Sequence, residues 1–197
     1  MEINELKNRA YDIAVKHGWY DEEPSMVHLT MLVITEFGEI INADRNWKYA
    51  QRQVFEENCN TPQVDPKTHW NFCFERFIKD TVEDEFADAV IRILSMAGQQ
   101  KVTLPEEPYS EEHLAEGVAA SNAACSCSPL GRPLTLPEEM FLLVSDLASD
   151  NPDSSMGNIL FTLLVIAKRR GIDIEWHIEQ KMKYNELRPY KHGYKKY

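Results

Sequence analysis

"FIKDTVEDEFADAVIRILSMAG", residues 77 to 98, decides how this chain folds. Within it, "FADAVIRILSMA" is apolar at every position except Asp88, Arg92 and Ser95. Wound at 3.6 residues per turn, those three fall with Glu85 along one narrow strip. A helix so apolar elsewhere is surrounded by protein, so its neighbours must supply the faces that cover it. The pattern predicts this helix over about 70–99.

The flanking sequence supplies those neighbours. A first helix is predicted over about 3–17, with Ile3, Leu6, Ala10, Ile13 and Ala14 on one stripe and Gly18 as its stop. Ser25 is placed to cap a long second helix, "MVHLTMLVITEFGEIINADRNWKYA", with Met26, Leu29, Leu32, Val33, Phe37, Ile40 and Ala43 at helical spacing. Residues 58–68 carry two prolines and read as a loop. Beyond Pro105 and Pro108, a small Ala-rich helix is expected over 111–124, with a loop at 127–133 and a helix opened by Pro137. "SDNPDSS" at 149–155 separates that helix from an apolar one over about 155–170, which Gly171 ends. Asp173 caps the last helix, and Pro189 stops it, leaving 190–197 as an extended arm. No sustained alternation of apolar and polar residues occurs, and Asn-Gly and Asp-Gly are absent. The expected fold class is all-α, a helical bundle forming one domain over 1–197.

Charge divides the chain unequally. Residues 1–180 hold fifteen Lys or Arg against thirty-one Asp or Glu, whereas "KMKYNELRPYKHGYKKY", 181–197, holds six against one. A net charge of −11 argues against nucleic acid as a partner, because phosphate binding needs clustered cations; only the basic end could touch a polyanion. The start lacks the basic and apolar regions of a signal peptide, and the longest apolar run, "ILFTLLVIA" at 159–167, is half a bilayer's thickness. A cytoplasmic protein without a membrane partner is expected. Cys59, Cys73, Cys125 and Cys127 match neither a zinc CxxC pair nor a disulfide framework, and CxC at 125–127 is a weak zinc signal. They read as plain thiols.

Chemistry begins with "EFGE" at 36–39 and "EFAD" at 85–88, each placing two carboxylates on one helical face. Thirty-two Asp and Glu in 197 residues make such pairs common by chance, so the surroundings carry the argument. Glu36 shares its stripe with Leu29, Leu32, Val33 and Ile40, and Glu39 shares one with Leu32 and Ala43, so both point where the core should be. Buried carboxylates are costly unless their charge is offset, and four facing acids suit a hard cation, Mg²⁺ or Mn²⁺. The competing reading makes Glu85, Asp88 and Arg92 a solvated helix face, with Asp88 and Arg92 paired at i,i+4. A di-iron bundle would want Glu-x-x-His, which is absent.

An ExxE helix followed by an ExxD helix, Glu36/Glu39 then Glu85/Asp88, resembles the all-α nucleoside triphosphate pyrophosphohydrolases, MazG and the dimeric dUTPases among them. Residues 77–98 resemble the third helix of MazG-like proteins, and 176–197 resemble the ending of a subgroup. Residues 48–75 and 100–150 read as insertions or extensions, and forty-five residues between Glu39 and Glu85 exceed the gap of compact members. The resemblance implies that Glu36, Glu39, Glu85 and Asp88 hold Mg²⁺ against a nucleoside triphosphate. Hydrolysis then yields the monophosphate and pyrophosphate, with Glu36 or Glu39 accepting the water's proton.

A triphosphate needs further cations. Lys181, Asn185 and Arg188 share a face of the last helix and are the first candidates, with the favourable meeting of cations and a helix C-terminus as the alternative. Lys79 and Arg92 are second candidates. Trp47 and Tyr184 could stack on a base or lie in the core, and His177 and His192 read as structural. The resemblance also implies a homo-oligomer, a dimer or higher. The other class of function consistent with the sequence is a catalytically silent bundle that binds a nucleotide or a partner protein.

Overall fold

In the computed structural model, which describes residues 2–61, 64–126, 132–148 and 152–194, the chain winds through successive helices. These are α1 (Ile3–Lys16), α2 (Met26–Arg45), α3 (Arg52–Cys59), α4 (Pro66–Phe77), α5 (Val82–Gln99), α6 (Glu111–Ser126), α7 (Leu136–Leu147), α8 (Pro152–Arg169) and α9 (Ile174–Leu187). A 3₁₀ turn (Glu107–Tyr109) precedes α6, and a final short turn spans Lys191–Tyr194. Among the described residues there is no strand. The fold is an all-α helical bundle.

α5 is the axis, as its apolar run requires. Phe86, Ala87, Ala89, Val90, Ile93 and Leu94 are essentially inaccessible, and α1, α2, α8 and α9 all pack on this helix. Each fully buried Ile, Leu or Phe contributes about 1.5–3 kcal/mol relative to exposure, and α5 places ten residues in one continuous core. A smaller aromatic cluster lies apart. Phe55, Trp70, Phe74 and Tyr184 join α3, α4 and α9, with the Phe74 and Tyr184 rings stacked at 4.6 Å. α2 has the length and hydropathy of a membrane span, yet it buries Glu36 against an arginine of α5 and packs along α5 as a core helix does.

Caps fall where the residue types predict: the side chains of Ser25 and Asp173 accept the N–H groups of His28 and Trp176. Several boundaries differ from the pattern. The helix expected over 70–99 is two, because Asp80 takes a left-handed φ of 60° and Thr81 restarts the helix by accepting the Asp84 N–H. The second helix ends at Arg45 rather than near 50, closed by Lys48 N–H to the Ala43 carbonyl and Trp47 N–H to that of Asp44, with Trp47 itself at φ 55°. The apolar helix starts at Pro152, α4 opens at Pro66 inside the expected loop over 58–68, and α3 occupies a segment read only as an insertion. Residues 127–131 and 149–151, within two expected loops, lie outside the described residues, as does Cys127 of the CxC pair.

Residues 190–194 of the expected 190–197 arm are not extended, and 195–197 lie outside the described residues. Lys191 and His192 take positive φ, the chain turns back, and Lys191 N–H donates to the His17 carbonyl at 2.9 Å. Tyr190 donates its hydroxyl to Asp21 and lies over Gly18, where an added Cβ would stand 2.2 Å from its ring. Gly18, at φ 78°, is thus required twice, for the turn after α1 and for this close approach.

Candidate functional site

Between α1, α2, α5 and α9 lies a cavity of about 820 Å³. Its walls include Glu36 and Glu39 of α2, Glu85, Asp88 and Arg92 of α5, and Lys181, Asn185 and Arg188 of α9. Lys79 and Asp80, from the link between α4 and α5, close the acidic end. Carboxylate oxygens of Glu36, Glu39 and Glu85 lie within 4.8 Å of one another. Oxygens of Asp80, Asp84 and Glu85 form a second such group, so Glu85 belongs to both.

Burial governs the protonation of this cluster. It pushes the Glu36 carboxyl up to about 7, helped by Asp88 and opposed by Arg92, whose Nε donates to Glu36 Oε1. Burial pushes Glu85 further, to about 9, against the pull of Lys181. Asp84 is wholly inaccessible and is raised to about 6, again by burial. Burial would raise Asp88 as well, but Lys181 and Arg92 outweigh it and hold that carboxyl below its ordinary value. Lys181 Nζ sits 2.6 Å from Asp84 Oδ2 and 2.9 Å from Asp88 Oδ2. Burial opposes its charge, yet Asp84, Asp88 and Glu85 together raise its pKa. Even so, Asp84 Oδ1, Glu85 Oε2 and Asn185 Oδ1 are buried without a hydrogen-bond partner among the described residues. Acids outnumber cations here, and acceptor atoms are left over.

The sequence-predicted residues meet at this cavity, although several take other parts than expected. Glu39 is exposed rather than core-facing, because three helical positions past Glu36 bring it to the edge of the buried stripe. Asp88 stands beside the three-glutamate group with its Oδ2 on Lys181. Glu85 is only 4% exposed, so the solvated-face reading of this strip fails, and Arg92 pairs with Glu36 across helices rather than with Asp88 along its own. Lys181, expected to face a substrate, is buried in its ion pairs. Arg188 remains half-buried on the wall, its guanidinium 5.5 Å from the Tyr184 ring. Lys79 bonds the neighbouring Asp80 at 2.8 Å.

The remaining candidates divide. Trp47 is 83% exposed and lines no part of the cavity, since its left-handed position after α2 turns it outward. Tyr184 belongs to the aromatic cluster and donates its hydroxyl to Glu75. His177 is buried beside Trp176, and burial holds its pKa down at about 4. His192 lines the cavity. Sequence spacing missed Asp84, whose carboxylate accepts the Asp80 N–H at 3.0 Å. A helix start at Val82 was the missing signal: Glu83, Asp84 and Glu85 then fall in a first turn, where free N–H groups favour acids.

Compared with protein-family models, with curated proteins and with solved structures, the chain gives no match.

Proposed function

We propose that the cavity binds a divalent cation and a nucleoside triphosphate, and that the protein hydrolyses the nucleotide to its monophosphate and pyrophosphate. The observation that carries this reading is the approach of Glu36, Glu39 and Glu85 oxygens within 4.8 Å at one end of a cavity also lined by Lys79, Arg92 and Arg188. An all-oxygen donor set with an orphaned, buried Glu85 Oε2 fits Mg²⁺ or Mn²⁺. The resemblance of the two acid motifs to MazG-like pyrophosphohydrolases supports the same assignment.

Glu36, Glu39 and Glu85 would hold the cation, which when bound offsets phosphate charge and makes water more acidic. Lys181 keeps Asp88 ionised and oriented beside them. Arg92, Lys79 and Arg188 offer charge to phosphate oxygens. Glu39, on the open wall, accepts a proton from the water whose oxygen forms the new bond to the α-phosphorus. The bridging P–O bond breaks, and pyrophosphate leaves with the electron pair.

A panel of canonical and modified ribo- and deoxynucleoside triphosphates, incubated with pure protein and Mg²⁺, tests the reading. Monophosphate and pyrophosphate should appear in equal amounts from at least one nucleotide. One observation favours the silent-binder reading: Asp84, Asp88 and Glu36 are already ion-paired within the protein, by Lys181 and Arg92. Nucleotide binding with no pyrophosphate from any member of the panel would select it.

A further inference from the structure

The cavity has a second end, chemically unlike the first. Glu39 at the acidic end and His28 toward the other line the cavity from the same helix, eleven positions and so roughly 16 Å apart at 1.5 Å per residue. α5 runs antiparallel, carrying the wall from Glu85 to Ser95, where the Tyr20 hydroxyl and Ser95 Oγ are 2.7 Å apart. At this far end the lining turns apolar and aromatic, with Ile13, Ala14, Trp19, Tyr20 and Leu29. The carboxy-terminal turn completes it. His192 lies edge-on to Trp19 at 5.1 Å and to His17 at 5.7 Å, held there by the Lys191 N–H bond to the His17 carbonyl. Glu22, with Lys191 Nζ 3.8 Å from its Oε1, and Glu23 also line this end, and the net negative charge of the three disfavours a second anionic group.

The geometry points to a nucleobase subsite at this far end, formed by Trp19, Tyr20 and Ile13 with His192 of the carboxy-terminal turn. The inference deepens the proposed function and rests on it: phosphates occupy the cation-lined end, and an uncharged, planar ring occupies the aromatic one. Trp19 and His192 present π faces and edges to such a ring, and the carboxylates of Glu22 and Glu23 suit its amino groups. The carboxy-terminal turn is therefore part of the binding wall, and it distinguishes a nucleotide from bare polyphosphate.

Calorimetric titration with two probes tests this. One is inorganic tripolyphosphate, the other a set of α,β-imido deoxynucleoside triphosphates, each with Mg²⁺. Base stacking should make the preferred imido-nucleotide bind about tenfold or more tighter than tripolyphosphate to the wild-type protein. Trp19→Ala and His192→Ala should each shrink that ratio while leaving tripolyphosphate affinity within about twofold, and Trp19→Phe should restore most of it. Equal affinities in the wild type, an unchanged ratio in Trp19→Ala, or parallel loss of both ligands would overturn the subsite. A ratio that collapses in Trp19→Ala, in a protein that turns over no nucleotide, keeps the subsite and removes only the hydrolytic reading.

Discussion

Glu139 on α7 and Glu85 on α5 are about equally hidden from solvent, at 6% and 4% exposure, but their surroundings differ in kind. Glu139 accepts from two guanidiniums: Arg169 meets one oxygen and Arg170 the other at 2.7 Å. Both oxygens are satisfied, and cations outnumber the acid. Around Glu85 the balance reverses. Asp84, Glu85 and Asp88 share Lys181, and Glu85 Oε2 has no partner among the described residues. The first arrangement ties α7 to the end of α8. The second gathers more acids than cations against a cavity, where burial, with smaller help from Asp88, Asp84 and Glu39, raises the proton affinity of Glu85 and leaves oxygen atoms for a ligand to meet.

Substitution at the two glutamates should therefore give opposite outcomes. Glu85→Gln is expected to lower turnover at least ~10³-fold while leaving the melting temperature equal to or above the wild type, since a costly buried acid is gone. Retained turnover in a folded Glu85→Gln protein would remove Glu85 from the chemistry. Next in size comes Lys181→Met, which strands Asp84 and Asp88 without their cation. Urea unfolding at pH 7 should show a loss of about 3 kcal/mol, and an unaltered midpoint would mean the ion pairs are energetically idle. Glu139→Gln should cost about 2 kcal/mol, less because Arg170 is partly solvated, with turnover unchanged.

The smallest effect is on pH dependence. Glu36 and Glu85 have folded pKa values raised by burial to about 7 and about 9 from 4.5. The folded state thus holds protons that the unfolded chain has released, so their contribution to stability is complete below pH 4.5 and disappears as pH rises through those values. His177, held down at about 4, works oppositely but only below pH 6.5, and Asp88, shifted downward, only below 3.8. Between pH 7 and 9 the raised acids set the slope, with Cys59, pushed by burial from 9.0 to about 11, adding a loss of the same sign only toward pH 9. The cation-free protein should lose a few °C of melting temperature across that window, and Glu85→Gln should flatten the slope. Equal slopes would place the proton elsewhere.

Most helices were legible because each has a single apolar stripe. The break between α4 and α5 was not. "FIKDTVED" lacks both Gly and Pro, and the interruption rests on a left-handed Asp80 that accepts strain because Asp84 bonds its N–H and Lys181 bonds Asp84. The misplaced end of α2 has the same origin, since Trp47 takes the position usually given to Gly. Acid-pair spacing led to Glu36, Glu39, Glu85 and Asp88, whereas Asp84, which shares Lys181 with Asp88 one turn further on, was invisible until the start of α5 was known.

By itself the sequence determined that the chain is all-helical, that an apolar helix near residue 90 is its centre, and that two acid pairs lie on helices close to it. Those properties follow from local periodicity and composition. Only the tertiary structure decided which charges meet: that Arg92 reaches Glu36 rather than Asp88, that Lys181 is buried on Asp84 and Asp88, and that the basic carboxy terminus turns back onto His17 and Gly18 to wall the cavity. Such pairings join residues far apart in the chain, His17 and His192 standing 175 positions from one another, and they depend on how helices pack, which no local pattern encodes.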